Sequence, residues 1–135
     1  MKIIKVSNSD QLLQFVKFPF KLYKDSKYWV PPIIKEEINS FTKGVNPNLE
    51  DCDVSLFFAI QDGEVVGRIA AIINWYEVNT QGIKKIRFGW FDTIDDISVT
   101  EALINEVDKI GVSKQLSFIE GPIGFSNLDK VGVLT

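Results

Sequence analysis

The chain has 135 residues, of which 45% are hydrophobic, enough for one domain with its own core. Its net charge of −3 argues against a nucleic-acid partner bound mainly through phosphates. With no histidine and one cysteine, Cys52, the sequence excludes Ser-His-Asp and Cys-His catalysis within the chain, histidine-ligated metal sites and an internal disulfide. This cysteine usage fits a cytoplasmic protein, and no apolar run reaches the roughly 18 residues of a membrane span, so we expect no membrane partner.

The N-terminal segment predicts a strand over residues 1–6 and then a helix. Ser7 or Ser9 can cap this helix, because a side-chain oxygen satisfies a free backbone N–H group. Pro19 should interrupt or kink the helix, since proline removes a backbone donor and clashes with the preceding turn. The apolar stripe at helical spacing consists of Leu12, Phe15 and Val16.

A second helix is predicted with Pro32 in its first turn and Gly44 as its stop. Its inward residues are Ile34, Ile38 and Phe41. Residues 45–53 form a polar loop.

Three consecutive antiparallel strands are predicted over residues 54–60, 65–73 and 84–91. The turn between the first two is Asp62-Gly63, a strong hairpin signal because a tight primed turn needs a positive φ.

A further helix follows the third strand and is predicted to end at Gly111. Ser98 and Glu101 match a capping box at its start. Its apolar face consists of Val99, Leu103, Val107 and Ile110. The next strand is predicted over residues 115–119, before a turn-rich loop.

Five segments together point to a known family. They are FPFKLYK (18–24), YWVPP (28–32), DGEVVGRIAAIIN (62–74), FGWFD (88–92) and EGP (120–122). With them, nearly the whole chain resembles a bacterial family of uncharacterised GNAT-like (N-acetyltransferase-like) proteins. The resemblance implies an α/β (α+β) fold, with a mixed, mainly antiparallel sheet and helices on its faces.

Members of that family are considerably longer than this chain. The resemblance therefore implies that residues 1–135 are the N-terminal part of a single GNAT-like domain, without the C-terminal strands and the last helix. The apolar ending at residues 131–135 favours the same interpretation, since a natural C-terminus is usually solvated.

The resemblance also implies an acyl-CoA cofactor, commonly acetyl-CoA. In GNAT enzymes the fourth strand binds the pantetheine arm through its backbone, and the start of the next helix holds the pyrophosphate, since free N–H groups and the helix dipole attract anions. By resemblance the strand is 88–93 and the helix start is 95–98. The candidate cofactor-binding residues are Trp90, Phe91, Thr93, Asp96, Ile97, Ser98 and Asn127.

Two carboxylates at strand ends, Asp92 and Glu120, are the candidate catalytic residues. A base in this place would deprotonate an amine, and burial would raise its pKa toward the working range. The competing interpretation of each is a turn or edge carboxylate. Arg68 on the hairpin is either an anion ligand or an exposed or ion-paired strand residue.

The function implied by the resemblance is acyl transfer from acyl-CoA to a small-molecule amine. The alternative is a non-catalytic GNAT-derived module for ligand or protein interaction. It is favoured by Asp95 and Asp96, which stand where a pyrophosphate loop needs basic residues and glycines. A third interpretation is an inactive fragment whose open, apolar sheet edge promotes formation of a homodimer.

Overall fold

The computed structural model describes residues 1–125 as five strands and four α-helices. In chain order these are β1 (Lys2–Lys5), α1 (Ser9–Leu22), α2 (Ile34–Ser40), a short 3-10 helix (Pro47–Leu49), β2 (Cys52–Gln61), β3 (Glu64–Asn74), α3 (Trp75–Asn79), β4 (Lys85–Thr93), α4 (Ile97–Ser113) and β5 (Phe118–Glu120). No helix within this part of the chain is both long and apolar enough to cross a bilayer.

The strands form one sheet in the order β1-β2-β3-β4-β5. Neighbours from β1 to β4 are antiparallel, whereas β5 runs parallel to β4. A parallel neighbour needs a crossover connection, and α4 supplies it. The predicted fold class, a mixed and mainly antiparallel sheet with helices on its faces, is confirmed.

The β2–β3 hairpin closes through Asp62 and Gly63, whose φ angles are 52° and 77°. Positive φ at both central positions is the requirement of the primed turns that match strand twist. The hairpin prediction is therefore confirmed.

Helices cover both faces of the sheet. The buried residues of α4 (Val99, Leu103 and Val107) pack against one face, and Phe15 and Val16 of α1 pack against the other. Gly111 does not end α4, so that prediction was wrong. It lies inside the helix, where an added Cβ would come within 3.2 Å of Ile86 Cγ2, so its small size serves close packing on the sheet.

The start of α1 also differs from the prediction. The cap is Asn8 rather than Ser7 or Ser9, since the Asn8 side chain accepts a hydrogen bond from a backbone N–H of the first turn. Pro19 was predicted to interrupt or kink this helix, and the interruption does not occur, since α1 continues to Leu22. The second helix likewise begins at Ile34 and ends at Ser40, well before Gly44.

Candidate active site

Strand β4 departs from regular pairing with β3 at Trp90. Arg68 is paired with Asp92 and Ala70 with Gly89, so a step of two residues on β3 matches a step of three on β4. This one extra residue is a β-bulge. Trp90 has a φ of 45°, a left-handed conformation that non-glycine residues seldom adopt and that occurs preferentially at functional sites.

A cleft of about 480 Å³ lies beside the bulge. Residues 89–92 of β4 form one wall, and Pro122 and Ile123, which follow β5, form another. The segment 29–32 between α1 and α2 lines a third side. The cleft thus opens where β4 and the chain after β5 no longer pair as strands.

The inner end of the cleft is closed by a backbone contact. The Ile123 N–H group donates a 2.9 Å hydrogen bond to the carbonyl oxygen of Phe88. A Cβ on Gly89 would lie 2.4 Å from the Ile123 carbonyl oxygen, so any larger residue would force the two chains apart. Glycine at this position fixes the width of the cleft floor.

Asp92 binds a hydrogen-bond donor with each carboxylate oxygen. The Tyr23 hydroxyl donates to Oδ1 at 2.6 Å, and Arg68 Nε donates to Oδ2 at 2.9 Å. The Arg68 and Asp92 side chains retain only 5% and 14% exposure, so this is a buried, charge-assisted pair. Of the interpretations given for Arg68 from the sequence, the structure therefore supports the ion-paired strand residue, and this residue is buried.

The two partners of Asp92 respond to burial in opposite directions. Burial raises the pKa of Tyr23 well above its ordinary value, and the hydrogen bond to Asp92 raises it further. Burial lowers the pKa of the Arg68 guanidinium, and the Asp92 carboxylate opposes that shift. Tyr23 is therefore a neutral hydroxyl donor at physiological pH.

Glu37 of α2 also lines the cleft and was not identified from the sequence. It is only 6% exposed, and its Oε2 lies 3.5 Å from Trp90 Nε1. One sequence signal marks it: Glu37 lies three residues after Ile34, on the predicted apolar stripe of that helix.

Glu120 lies away from Asp92, so the structure does not bring the two candidate catalytic carboxylates together. Its Oε2 is 3.2 Å from Lys85 Nζ, and Lys85 and Arg87 both also bind Glu77. Glu120 is the β5 partner of Arg87, which lies five residues before Asp92 on β4. At the rise of a strand, this spacing separates Arg87 from Asp92 by roughly 16 Å along β4.

The start of α4 is capped by Asp96. Its Oδ1 accepts hydrogen bonds from the Ser98 backbone N–H at 2.9 Å and the Ser98 hydroxyl at 2.6 Å, which lower the pKa of Asp96. The predicted capping box at Ser98 was therefore wrong, and the helix begins two residues earlier than that cap implies. A carboxylate already occupies this anion-binding position, which disfavours the binding of a pyrophosphate at the α4 terminus.

The candidate cofactor residues consequently divide into two groups. Trp90 and Phe91 line the cleft. The others within the described residues lie at the β4–α4 junction: Thr93, Asp96, Ile97 and Ser98. Asn127 lies outside the described residues.

Two curated proteins match almost the whole chain. Protein YghO of Escherichia coli (strain K12) is 32% identical over 127 residues, covering 94% of this chain and 32% of that protein. Bacterial ceramide synthase of Caulobacter vibrioides (strain NA1000 / CB15N) is 27% identical over 135 residues, covering 99% of this chain and 35% of that protein. The chain thus spans about a third of the length of the curated relatives it matches. No protein-family model matches the chain.

The solved structures with similar folds are GNAT acetyltransferases. A tandem GNAT protein from the clavulanic acid biosynthesis pathway matches with a TM-score of 0.63 at 12% identity, over 84% of this chain and 33% of that one. The aminoglycoside acetyltransferase HMB0005, from an uncultured soil metagenomic sample, matches with a TM-score of 0.60 at 16% identity, over 95% of this chain and 82% of that one. The aminoglycoside acetyltransferase meta-AAC0020, also from an uncultured soil metagenomic sample, was solved in complex with sisomicin. It matches with a TM-score of 0.59 at 10% identity, over 88% of this chain and 74% of that one. The chain has the fold of the GNAT acetyltransferases.

Proposed function

We propose that residues 1–135 are the N-terminal part of a GNAT-like N-acyltransferase that transfers an acyl group from acyl-CoA to a small-molecule amine. The observation that carries this proposal is the bulge at Trp90, which opens a cleft between β4 and the chain after β5. The similarity to a bacterial ceramide synthase supports the reaction class, because ceramides contain an amide formed on an amino group.

The residues of the cleft have distinct proposed roles. Bound acyl-CoA would supply a thioester carbonyl as the electrophile. Trp90 and Phe91 line the cleft, and we assign their backbone N–H groups to binding the carbonyl oxygen of the acyl group.

We assign Asp92 the role of proton acceptor for the attacking amine. Arg68 and Tyr23 fix the orientation of its carboxylate, and its place in the cleft wall gives an amine access to it. Glu120 is not included in this assignment, because its carboxylate pairs with Lys85 away from the cleft.

A second candidate function is a non-catalytic GNAT-derived module for ligand or protein interaction. The carboxylate cap of α4 favours it, since Asp96 occupies the position that a CoA pyrophosphate would need. The two functions differ in one measurable property, which is the binding of acyl-CoA.

Tryptophan fluorescence during titration with acetyl-CoA tests the proposal, because Trp29 and Trp90 both line the cleft. We expect a saturable change that adenosine does not produce and that Asp92→Ala weakens. Formation of an amide from an added amine, measured by mass spectrometry on a longer chain that includes residues 1–135, tests the transfer step. Saturable binding of acetyl-CoA without amide formation would favour the second function. No binding by either chain up to millimolar acetyl-CoA would contradict the acyl-CoA proposal.

We also propose the cytoplasm as the location and self-association through the sheet edge as a further property. Cys52 is a free thiol, which fits a reducing compartment. Within residues 1–125, β5 pairs with β4 alone, and its other side is the edge that we propose for contact with a second copy. Gel filtration tests the second point, and a strictly monomeric chain would contradict it.

A further inference from the structure

We propose that the loop between α1 and α2, residues 23–33, binds the surface of an anionic lipid bilayer. Its exposed apolar side chains would enter the interface, and the lysines around it would contact the headgroups. The absence of an apolar run long enough to span a bilayer does not bear on this proposal, because a segment that lies in the interface needs no such run. The proposal goes beyond the proposed function, since the loop would bind with no acyl donor present.

The loop exposes large apolar side chains to solvent. Tyr28, Val30 and Ile33 are 76%, 83% and 61% exposed, and Pro31 between them is exposed as well. All four lie within one stretch of six residues, whereas exposed apolar residues that need no explanation are scattered singly over a surface. Such a concentration is typical of a surface that contacts a protein or a membrane.

Trp29 anchors the loop on α1. Its ring contacts the rings of Phe20 and Tyr23, with centroids 5.1 and 5.6 Å away. Since Trp29 stands between Tyr28 and Val30, these contacts fix the segment that carries both exposed side chains. A surface that is already ordered loses less conformational entropy when it binds.

Basic residues surround the loop, although the chain as a whole is acidic. Residues 17–36 contain five lysines and two acidic residues, a net charge of +3, whereas the whole chain has a net charge of −3. The five lysines are all exposed: Lys17, Lys21, Lys24, Lys27 and Lys35. Lys21 is offset by an exposed pair with Glu64, which still leaves an excess of positive charge in this region. Each lysine close to an anionic bilayer adds to the attraction.

The combination of charge and apolar surface favours a bilayer over a protein partner. Lysine is depleted in protein–protein interfaces, whereas lysines beside exposed aromatic and aliphatic residues are typical of segments that lie on membranes. Lys27 and Tyr28 show this arrangement, with Nζ 5.2 Å from the centroid of the tyrosine ring. Val30 and Pro31 also line the cleft, so binding would bring one wall of the candidate site to the bilayer surface.

Co-sedimentation of the chain with lipid vesicles tests the proposal. One set of vesicles contains phosphatidylcholine alone, and the other contains phosphatidylcholine and phosphatidylglycerol in roughly equal parts. We expect at least tenfold tighter binding to the anionic vesicles. Raising NaCl from about 0.1 to about 1 M should weaken this binding, because the screening length falls from about 10 to about 3 Å. Equal binding to both kinds of vesicle, or no binding to the anionic vesicles, would overturn the proposal.

The apolar part of the assignment is tested by a double variant with Tyr28→Ser and Val30→Ser, which we expect to weaken binding to anionic vesicles at least tenfold. The matched control combines Tyr76→Ser on α3 with Val112→Ser on α4, the same residue types at 54% and 69% exposure, and should leave binding unchanged. Equal losses in the two double variants, or no loss in the first, would overturn the assignment to the loop.

The basic part is tested by combining Lys24→Glu with Lys27→Glu, which we expect to abolish the preference for anionic vesicles. Its control combines Lys109→Glu with Lys114→Glu, both exposed and changing the net charge by the same amount, and should retain most of the preference. Equal effects would show that net charge alone governs binding and would overturn the assignment. The wild-type lipid comparison stands even where a variant fails to fold. Failure to bind acetyl-CoA with intact vesicle binding would count against the proposed function alone.

Discussion

Arg68 Nη1 donates a 3.0 Å hydrogen bond to the carbonyl oxygen of Phe15. That carbonyl lies four residues before Pro19, which has no N–H group to donate to it within α1. The same guanidinium binds Asp92 through Nε, so one buried side chain joins the helix at its proline to the wall of the cleft. The position of α1, and with it Tyr23, is therefore coupled to the candidate site.

Replacing Arg68 by methionine should destabilise the fold strongly. The change leaves the buried Asp92 carboxylate without its cationic partner and the Phe15 carbonyl without its donor. We expect a loss of about 3–5 kcal/mol in the free energy of unfolding, measured by urea denaturation. The control is Lys21→Met, which removes an exposed pair with Glu64 and should cost less than about 1 kcal/mol. Similar losses in the free energy of unfolding for both variants would show that the buried Arg68–Asp92 pair stabilises the fold no more than an exposed pair does.

Alanine substitutions at two buried glycines should differ in severity. In Gly89→Ala the new Cβ would meet the backbone oxygen of Ile123 at 2.4 Å. In Gly67→Ala it would meet side-chain ends, Val99 Cγ1 at 2.8 Å and Leu103 Cδ1 at 2.9 Å, which can move more easily than backbone. We expect Gly89→Ala to lower the midpoint of thermal unfolding more than Gly67→Ala. The reverse order would mean that the backbone at the cleft floor yields readily.

Asp96→Asn should raise the affinity for CoA several-fold while keeping α4 capped. Asparagine caps a helix about as well as aspartate, so the change removes charge from the terminus without removing the cap. Binding of pantetheine, which lacks phosphate, should not change. Asp108→Asn, an exposed change farther along the same helix, is the charge-matched control. If both variants raise CoA affinity equally, the effect is one of net charge and not of the α4 terminus.

The Cys52 thiol should react slowly with iodoacetamide in the folded chain. Burial raises its pKa to about 11, and the carboxylates of Asp51 and Glu77 contribute to the shift. Since the thiolate is the reactive form, alkylation at pH 8 should be roughly a hundredfold slower than for the chain unfolded in urea. Equal rates in the two states would contradict the raised pKa.

The same shift fixes the sign of a pH effect on stability. At a pH between the ordinary thiol pKa and the raised pKa of the folded chain, Cys52 has lost its proton in the unfolded chain but keeps it in the folded chain. The Cys52 contribution to the free energy of unfolding should therefore be fully present below the ordinary value and fall as pH rises toward about 11. Cys52→Ala should remove this part of the pH dependence of the free energy of unfolding.

Local signals made parts of the fold predictable. The Asp62-Gly63 turn and the apolar runs beside it predict the hairpin, and the apolar face containing Leu103 predicts α4. The short helix α3 was missed, although Asn74 caps it by accepting from the N–H of Tyr76 at 3.0 Å. Five residues are too few to show a helical period.

The site was less predictable, because its contacts join distant parts of the chain. Tyr23 and Asp92 are 69 positions apart, and no local pattern pairs them. The bulge is also invisible in the sequence, because the residue with positive φ is Trp90 and not a glycine. Glu37 reads as an ordinary helical glutamate until α2 is placed over β4.

Backbone amide chemical shifts measured during titration with acetyl-CoA test the central claim most directly, since they locate the ligand residue by residue. The account predicts saturable shifts concentrated at Gly89, Trp90, Phe91 and Ile123, which line the cleft. Shifts confined to other surfaces, such as the exposed side of α4, or no shifts up to millimolar acetyl-CoA, would contradict the assignment of the β4–β5 cleft as the acyl-donor site.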